Sequence, residues 1–124
     1  MIDFKNGVFA KMSVPKKPMN VDAVIPLLVE GEEIISEYAS VRDSVIFTNK
    51  RVIAINVQGL LGAKKDFSSL PYSKIQAFSI ETAGTFDLDA ELELYFSGLG
   101  KVKFEFLAGS NIVEIGKMIS NYVL

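Results

Sequence analysis

The chain contains no cysteine and no histidine. Without cysteine there is no disulfide framework and no thiolate metal site, a pattern that fits a reducing cytoplasm, where we expect the protein to work. Without histidine the chain lacks the usual base near neutral pH, the commonest metal ligand and every Ser-His or Cys-His nucleophile pair. Much enzyme chemistry is thereby excluded, and we expect no catalytic residues, no cofactor and no metal. Charge of one sign is also missing: 13 basic and 15 acidic side chains leave a formal net charge of −2, so no global field draws in nucleic acid or anionic lipid. Long hydrophobic runs are absent too. No stretch approaches the roughly 20 apolar residues of a membrane span, and the opening MIDFKNGVFAKM lacks the uninterrupted apolar run of a signal peptide.

What is present is core material. At 124 residues, with 49% hydrophobic side chains, nine Phe and four Tyr, the chain suffices for one domain, burying roughly two thirds of its unfolded surface. Residues 1–20 end in SVPKKPMN, where Pro15, Pro18 and two lysines predict an irregular N-terminal arm that cannot join a sheet interior. The domain proper is expected over 21–124. Val21, Val24, Ile25, Leu28 and Val29 recur at helical spacing behind Asn20, an expected N-cap, and Pro26 keeps that helix short or kinked.

From Glu33 onward the pattern turns to about seven β segments. They run near 33–41, 44–48, 51–57, 64–70 and 74–82, then through two alternating runs. Asn49-Lys50 suits a tight hairpin because Asn tolerates positive φ. The β-branched run from Arg51 to Val57 should lie centrally in its sheet. Leu92, Leu94 and Phe96 face opposite to Glu91, Glu93 and Tyr95, and Val102, Phe104 and Phe106 opposite to Lys101, Lys103 and Glu105. This predicts a hairpin on whose outer face glutamates meet lysines. After Gly109 the period becomes helical, with Ile112, Ile115, Ile119, Tyr122 and Val123 on one stripe and Asn111 and Glu114 set like a capping box. A helix this short is marginal alone, so its stripe must cover the open end of the barrel or sheet.

Few residue groups suggest chemistry. Asp87, Asp89 and Glu91 alternate as three carboxylates on one side of an extended strand could, yet the further oxygen ligands of a calcium loop do not follow. The bland reading is a solvated face or a turn in which Asp87 caps amides. Gly59-Leu-Leu-Gly62-Ala-Lys64-Lys65 has the wrong spacing for a phosphate loop and precedes a strand, so it reads as a hairpin loop. A paired-carboxylate hydrolase using Glu81 and Asp89 is the best enzymatic arrangement on offer, and it lacks any nucleophile and base. Phe86, beside a glycine and acidic residues, reads either as core or as an exposed anchor.

Taken in order, Val41-Arg42-Asp43, Phe47-Thr48-Asn49-Lys50-Arg51, Gln58-Gly59 with Gly62 and Lys64-Lys65, Leu70-Pro71-Tyr72 with Ile75, and Glu81-Thr82-Ala83-Gly84 with Phe86-Asp87-Leu88-Asp89-Ala90-Glu91-Leu92 resemble the bacterial pleckstrin-homology (PH) family, over about 28–124. The resemblance implies a mainly β fold: a seven-stranded, bent antiparallel barrel capped by a C-terminal α-helix, here with a short N-terminal helix. It also implies a closed cyclic homo-oligomer, a five-membered ring in single-domain members, presenting a hydrophilic surface that binds another protein. Its matching positions are Arg42, Asp43, Thr48, Asn49, Lys50, Arg51, Glu81, Thr82, Asp87, Asp89 and Glu91. For Arg42-Asp43 a structural role stands level with a recognition role, since Asp favours local backbone bonding. The phosphoinositide-binding relatives in eukaryotes carry a longer basic loop than Ser40-Val41-Arg42-Asp43, which argues against phosphoinositide.

Three readings follow, in this order: an oligomeric protein-interaction module, a lipid or membrane-surface adaptor, and a carboxylate-based hydrolase. The adaptor would need Lys16-Lys17, Lys50-Arg51 and Lys64-Lys65 to concentrate positive potential. With so modest a patch, membrane contact is expected only indirectly.

Overall fold

Every alternating segment from Glu33 onward becomes a strand in the computed structural model, which describes residues 1–5 and 9–124. The order is β1 (Phe9–Met12), α1 (Val21–Val24), a one-turn 3-10 helix (Ile25–Leu27), β2 (Ile34–Ala39), β3 (Ser44–Thr48), β4 (Arg51–Gln58) and β5 (Lys64–Pro71). A second 3-10 turn (Tyr72–Lys74) leads to β6 (Ile75–Glu81), β7 (Ala90–Phe96), β8 (Gly100–Phe106) and α2 (Ile112–Val123). Two four-stranded sheets result, ordered β1-β8-β7-β6 and β2-β3-β4-β5.

Seven of the strands are those read from the sequence; β1 is not. The arm contributes an edge strand parallel to β8, with Phe9 opposite Phe104 and Met12 opposite Phe106. The register shifts between those two pairs, and within the shift Lys11 adopts φ +55°. Met12 thereby enters the core, fully covered, while Phe9 packs on Phe104 with ring centroids 5.7 Å apart. The prolines do end the strand, so 13–20 is irregular as expected, but Ser13 first forms a two-bond antiparallel bridge with Ala39 of β2, at 2.8 and 3.0 Å. The arm therefore joins the two sheets along one seam.

The main core fills the space between the sheets. Val45, Phe47, Val52, Ala54 and Leu70 meet Leu92, Leu94, Phe96, Val102, Phe104 and Phe106 there. A second, smaller core lies on the other face of β3 and β4, where Ile46, Ile53, Ile55 and Val57 are covered by Val21, Val24 and Leu28. This is why the run from Arg51 is apolar at successive positions: β4 is an inner strand buried on both faces. The helical spacing near Val21 builds the lid of this second core. Asn20, however, makes no side-chain cap on α1; its amide instead donates to Ser44 Oγ at 2.7 Å and to the Arg42 carbonyl at 3.2 Å.

The C-terminal helix packs on β6, β7 and the Tyr72–Lys74 turn. Asn111 Oδ1 accepts the Glu114 amide at 3.2 Å, and Ile112, Ile115 and Ile119 are buried. Tyr122 stacks on Tyr72 with centroids 5.3 Å apart and planes 10° from parallel. Gly116 lets the helix come close: a Cβ there would sit 3.0 Å from Ile80 Cγ2.

Met12 tests whether the arm is part of the fold. Met12→Ala is expected to cost about 2–5 kcal/mol in urea unfolding, whereas Lys17→Ala on the irregular stretch should stay within about 0.5 kcal/mol of wild type. Equal stabilities would show that β1 carries no load.

Candidate interaction surface

The polar positions brought forward by the sequence fall into three groups. At the β2–β3 corner, Asp43 Oδ1 accepts the Val57 amide at 2.9 Å and both carboxylate oxygens face Asn56 Nδ2 at 3.3 Å. Arg42 Nη1 donates to the Gly59 carbonyl at 2.6 Å. These bonds tie the corner to the end of β4 and the following loop, which is the structural role weighed for them.

The β3–β4 turn holds the second group. Positive φ at Asn49 was the expected device, but among the described non-glycine residues only Lys11 has one. Thr48 shapes the turn instead, its Oγ1 accepting the amides of Lys50 and Arg51, each at 3.0 Å. Thr48 is wholly buried, so its side chain belongs to the interior rather than to any surface of this chain. Asn49 turns inward to Glu33 N at 2.8 Å and the Gly31 carbonyl at 2.9 Å. Arg51 grips Glu32 through Nε and Nη2, both at 2.9 Å, and also reaches the Leu27 carbonyl at 2.8 Å and Ser69 Oγ at 3.0 Å. Lys50 alone of this group stays exposed without a side-chain partner among the described residues.

Glu32 is the centre that the sequence did not disclose. Its side chain is fully covered, and it also accepts Thr48 Oγ1 at 2.7 Å and the Val29 amide at 3.1 Å. Burial pushes its carboxyl up, but the hydrogen bonds from Arg51, Thr48 and Val29 together with the guanidinium charge outweigh this and hold it below the ordinary carboxylate value of 4.5. Glu30-Gly31-Glu32 has the composition of a turn, and no local signal links Glu32 to a partner nineteen residues away.

The third group sits on the other sheet. Glu81 ends β6 opposite Glu91, which pairs with Lys103 at 3.1 Å, while Glu93 pairs with Lys101 at 3.6 Å. Glutamate meets lysine on the outer face as expected, across the diagonal of the β7–β8 register. The bond from Lys103 to Glu91, with the charges of Glu91, Glu93 and Glu81, raises the Lys103 ammonium. Thr82 and Asp87 are exposed and Asp89 is partly covered, in the loop before β7. Asp87 Oδ1 caps the Asp89 amide at 3.1 Å, the turn alternative. The strand alternative for the three carboxylates does not hold, because β7 begins at Ala90. No group of three acidic, His or Cys side chains among the described residues is gathered closely enough to hold a metal ion.

One chain does not bring the three groups together: the corner and the turn flank opposite ends of β3, and the acidic group is on the other sheet. Three surface depressions lie among the described residues. The first, about 410 Å³, lies between the end of β5, the start of β6 and the end of β7; the second, about 330 Å³, lies between β2 and α2; the third, about 180 Å³, crosses β6 and β7. None of the three is lined by Glu81, Asp87, Asp89 or Glu91. No helix is long and apolar enough to cross a membrane.

With this geometry, two sheets around one core and a C-terminal helix across their join, the chain falls in the PH class of folds. The family described as Bacterial PH domain matches residues 3–123, a span that includes β1. YjqA of Bacillus subtilis (strain 168) is 37% identical over 119 residues, covering 94% of this chain and 95% of its own. A protein with a pleckstrin-homology domain from Shewanella loihica PV-4 superposes with a TM-score of 0.79 at 37% identity, covering 93% of this chain and 99% of that one. A pleckstrin homology domain from Shewanella amazonensis SB2B gives a TM-score of 0.66 at 38% identity, with 96% and 93% covered. The chain belongs to the bacterial PH domain family.

Two substitutions at the β3–β4 turn separate structure from surface. Arg51→Ala leaves Glu32 buried and unpaired and should cost about 3 kcal/mol in denaturant unfolding, while Lys50→Ala should change stability by less than about 0.5 kcal/mol. Acid titration tests the same pair. Because the Glu32 pKa is lowered on folding, its contribution is full above the unfolded value of 4.5 and is lost as pH falls through the folded one. Glu32→Gln should therefore be less stable than wild type at pH 7 and lose less further stability between pH 5 and the acid limit. Parallel stability–pH curves would refute this.

Proposed function

We propose that the chain is a non-catalytic interaction module whose copies assemble through their sheet edges into a closed ring, of about five chains, and whose polar surface engages another protein. The observation that carries this reading is the second seam between the sheets. Where the arm joins β1 to β2 the sheets are bonded, but β5 and β6 are end strands of eight and seven residues with no second partner strand among the described residues. Edges of that length invite another chain, and a repeated heterologous contact that closes on itself satisfies every copy at once.

The fate of the cations favours a protein partner over a lipid surface. Of the cations the adaptor needs, Arg51 and Lys65 donate to groups of their own chain. Lys16, Lys17, Lys50 and Lys64 are exposed, but Lys50 and Lys64 flank opposite ends of β4 and so do not concentrate one field. Lys50, Glu81, Thr82 and Asp87 remain presented to solvent with both signs of charge, a surface suited to matching another protein's pattern. The carboxylates the hydrolase reading needs lie outside the three depressions described above.

Light scattering coupled to size exclusion, over a dilution series, is the direct test. A concentration-independent mass of about five chains supports the ring; a single-chain mass at every concentration sinks it.

A further inference from the structure

Phe86 is 99% exposed, in the loop 82–89 between β6 and β7. The loop is braced from within, the Gly84 amide donating to the Asp87 carbonyl at 2.7 Å and the Asp89 amide to Asp87 Oδ1 at 3.1 Å, so the ring is held outward. An aromatic ring so presented gains strongly from being covered.

At the other end of the same two strands lies the groove of about 410 Å³. Its lining includes Leu70, Pro71, Ile75, Phe96 and Leu99, with Met1 of the same chain beside them, and also Lys74. The register fixes the separation of the two features. Ile75 pairs with Phe96 beside the groove and Glu81 with Glu91 beside the loop, so six residues of strand, roughly 20 Å, lie between them. Phe86 is therefore on the far end of the β6–β7 pair from its own groove, and a ring seated there comes from another copy.

Resting on the ring reading above, we propose that Phe86 of one copy seats in the β5–β6–β7 groove of the next. Charge agrees: the loop and the end of β6 before it bring Asp87, Asp89 and Glu81, and the groove offers Lys74, which is exposed. Place agrees too, since the groove opens at the seam between the two end strands. Ring and groove are different surfaces at opposite ends of one strand pair, so each copy gives one and receives one, the heterologous arrangement a closed ring requires.

The chain has no cysteine of its own, which makes cross-linking clean. Thr85→Cys, beside Phe86, and Ser97→Cys, which lines the groove, are mixed in equal amounts in denaturant, refolded together so that both enter the same rings, and oxidised. A cross-linked dimer several-fold above that of either variant alone is expected, and its absence from a mixture whose mass equals wild type overturns the proposal. In parallel, Phe86→Asp is compared with wild type by light scattering, with melting temperature as the check on folding. The expected result is a drop from the wild-type mass to that of one chain with the melting transition of the dissociated protein still cooperative. Phe86→Asp retaining the wild-type mass overturns the Phe86 contact and leaves the ring standing. A wild-type protein that is a single chain throughout overturns both.

Discussion

Two four-stranded sheets facing one core have four edges, and the fold depends on how those edges are joined. One seam is closed within the chain: β1 pairs with β8, and two bonds between Ser13 and Ala39 carry the backbone across to β2. The arm is then held by a carboxylate. Glu37, itself buried, accepts the amides of Met19 and Asn20 at 3.0 and 2.9 Å and the Ser44 hydroxyl at 2.7 Å. A buried carboxyl group is tolerable only when its acceptor sites are filled, and here two of the three fillers are backbone amides at the end of the arm that crosses the seam. The helical lid over the second core begins at the next residue, Val21, so its position follows from the same clamp.

A similar economy governs the β3–β4 turn. Glu32 is satisfied by one guanidinium, one hydroxyl and one backbone amide, drawing together the end of the helical lid, the turn and, through Arg51, the edge strand β5. Nearby, Tyr72 donates to the Thr48 carbonyl at 2.7 Å and stacks on Tyr122 of α2, so the turn is also the footing of the C-terminal helix. Burial, added to by the neighbouring Tyr122 and Glu32, raises the Tyr72 hydroxyl far above its ordinary value and keeps it a neutral donor.

These internal uses of polar groups bear on function. Arg42, Asp43, Thr48, Asn49 and Arg51 are spent on holding corners and Asp87 on bracing the β6–β7 loop, while Lys50, Glu81 and Thr82 stand exposed. Among the described residues no strand pairs with β5 or β6 across the second seam, and α2 packs beside it on β6, β7 and the Tyr72–Lys74 turn. What remains outward is a pair of edges, a groove beside them and an uncovered phenyl ring at the distant end of the same strands.

Strand positions, the β7–β8 hairpin and the C-terminal stripe were legible because each rests on a local periodicity, two for a half-buried strand and near 3.6 for an amphipathic helix. The arm misled because Phe9–Met12 is too short to show a period and is a strand only by virtue of β8 beside it. Asn20 and Asn49 misled in another way: both residue types have strong local habits, as cap and as left-handed turn former, and in both the side chain was drawn instead to distant backbone or hydroxyl groups left unsatisfied by the fold. By itself, then, the sequence determined which segments are strands and helices and which face of each is apolar. Only the tertiary structure decided which charges are buried, which edges are joined and which aromatic is left bare, because those outcomes depend on partners that local pattern does not register.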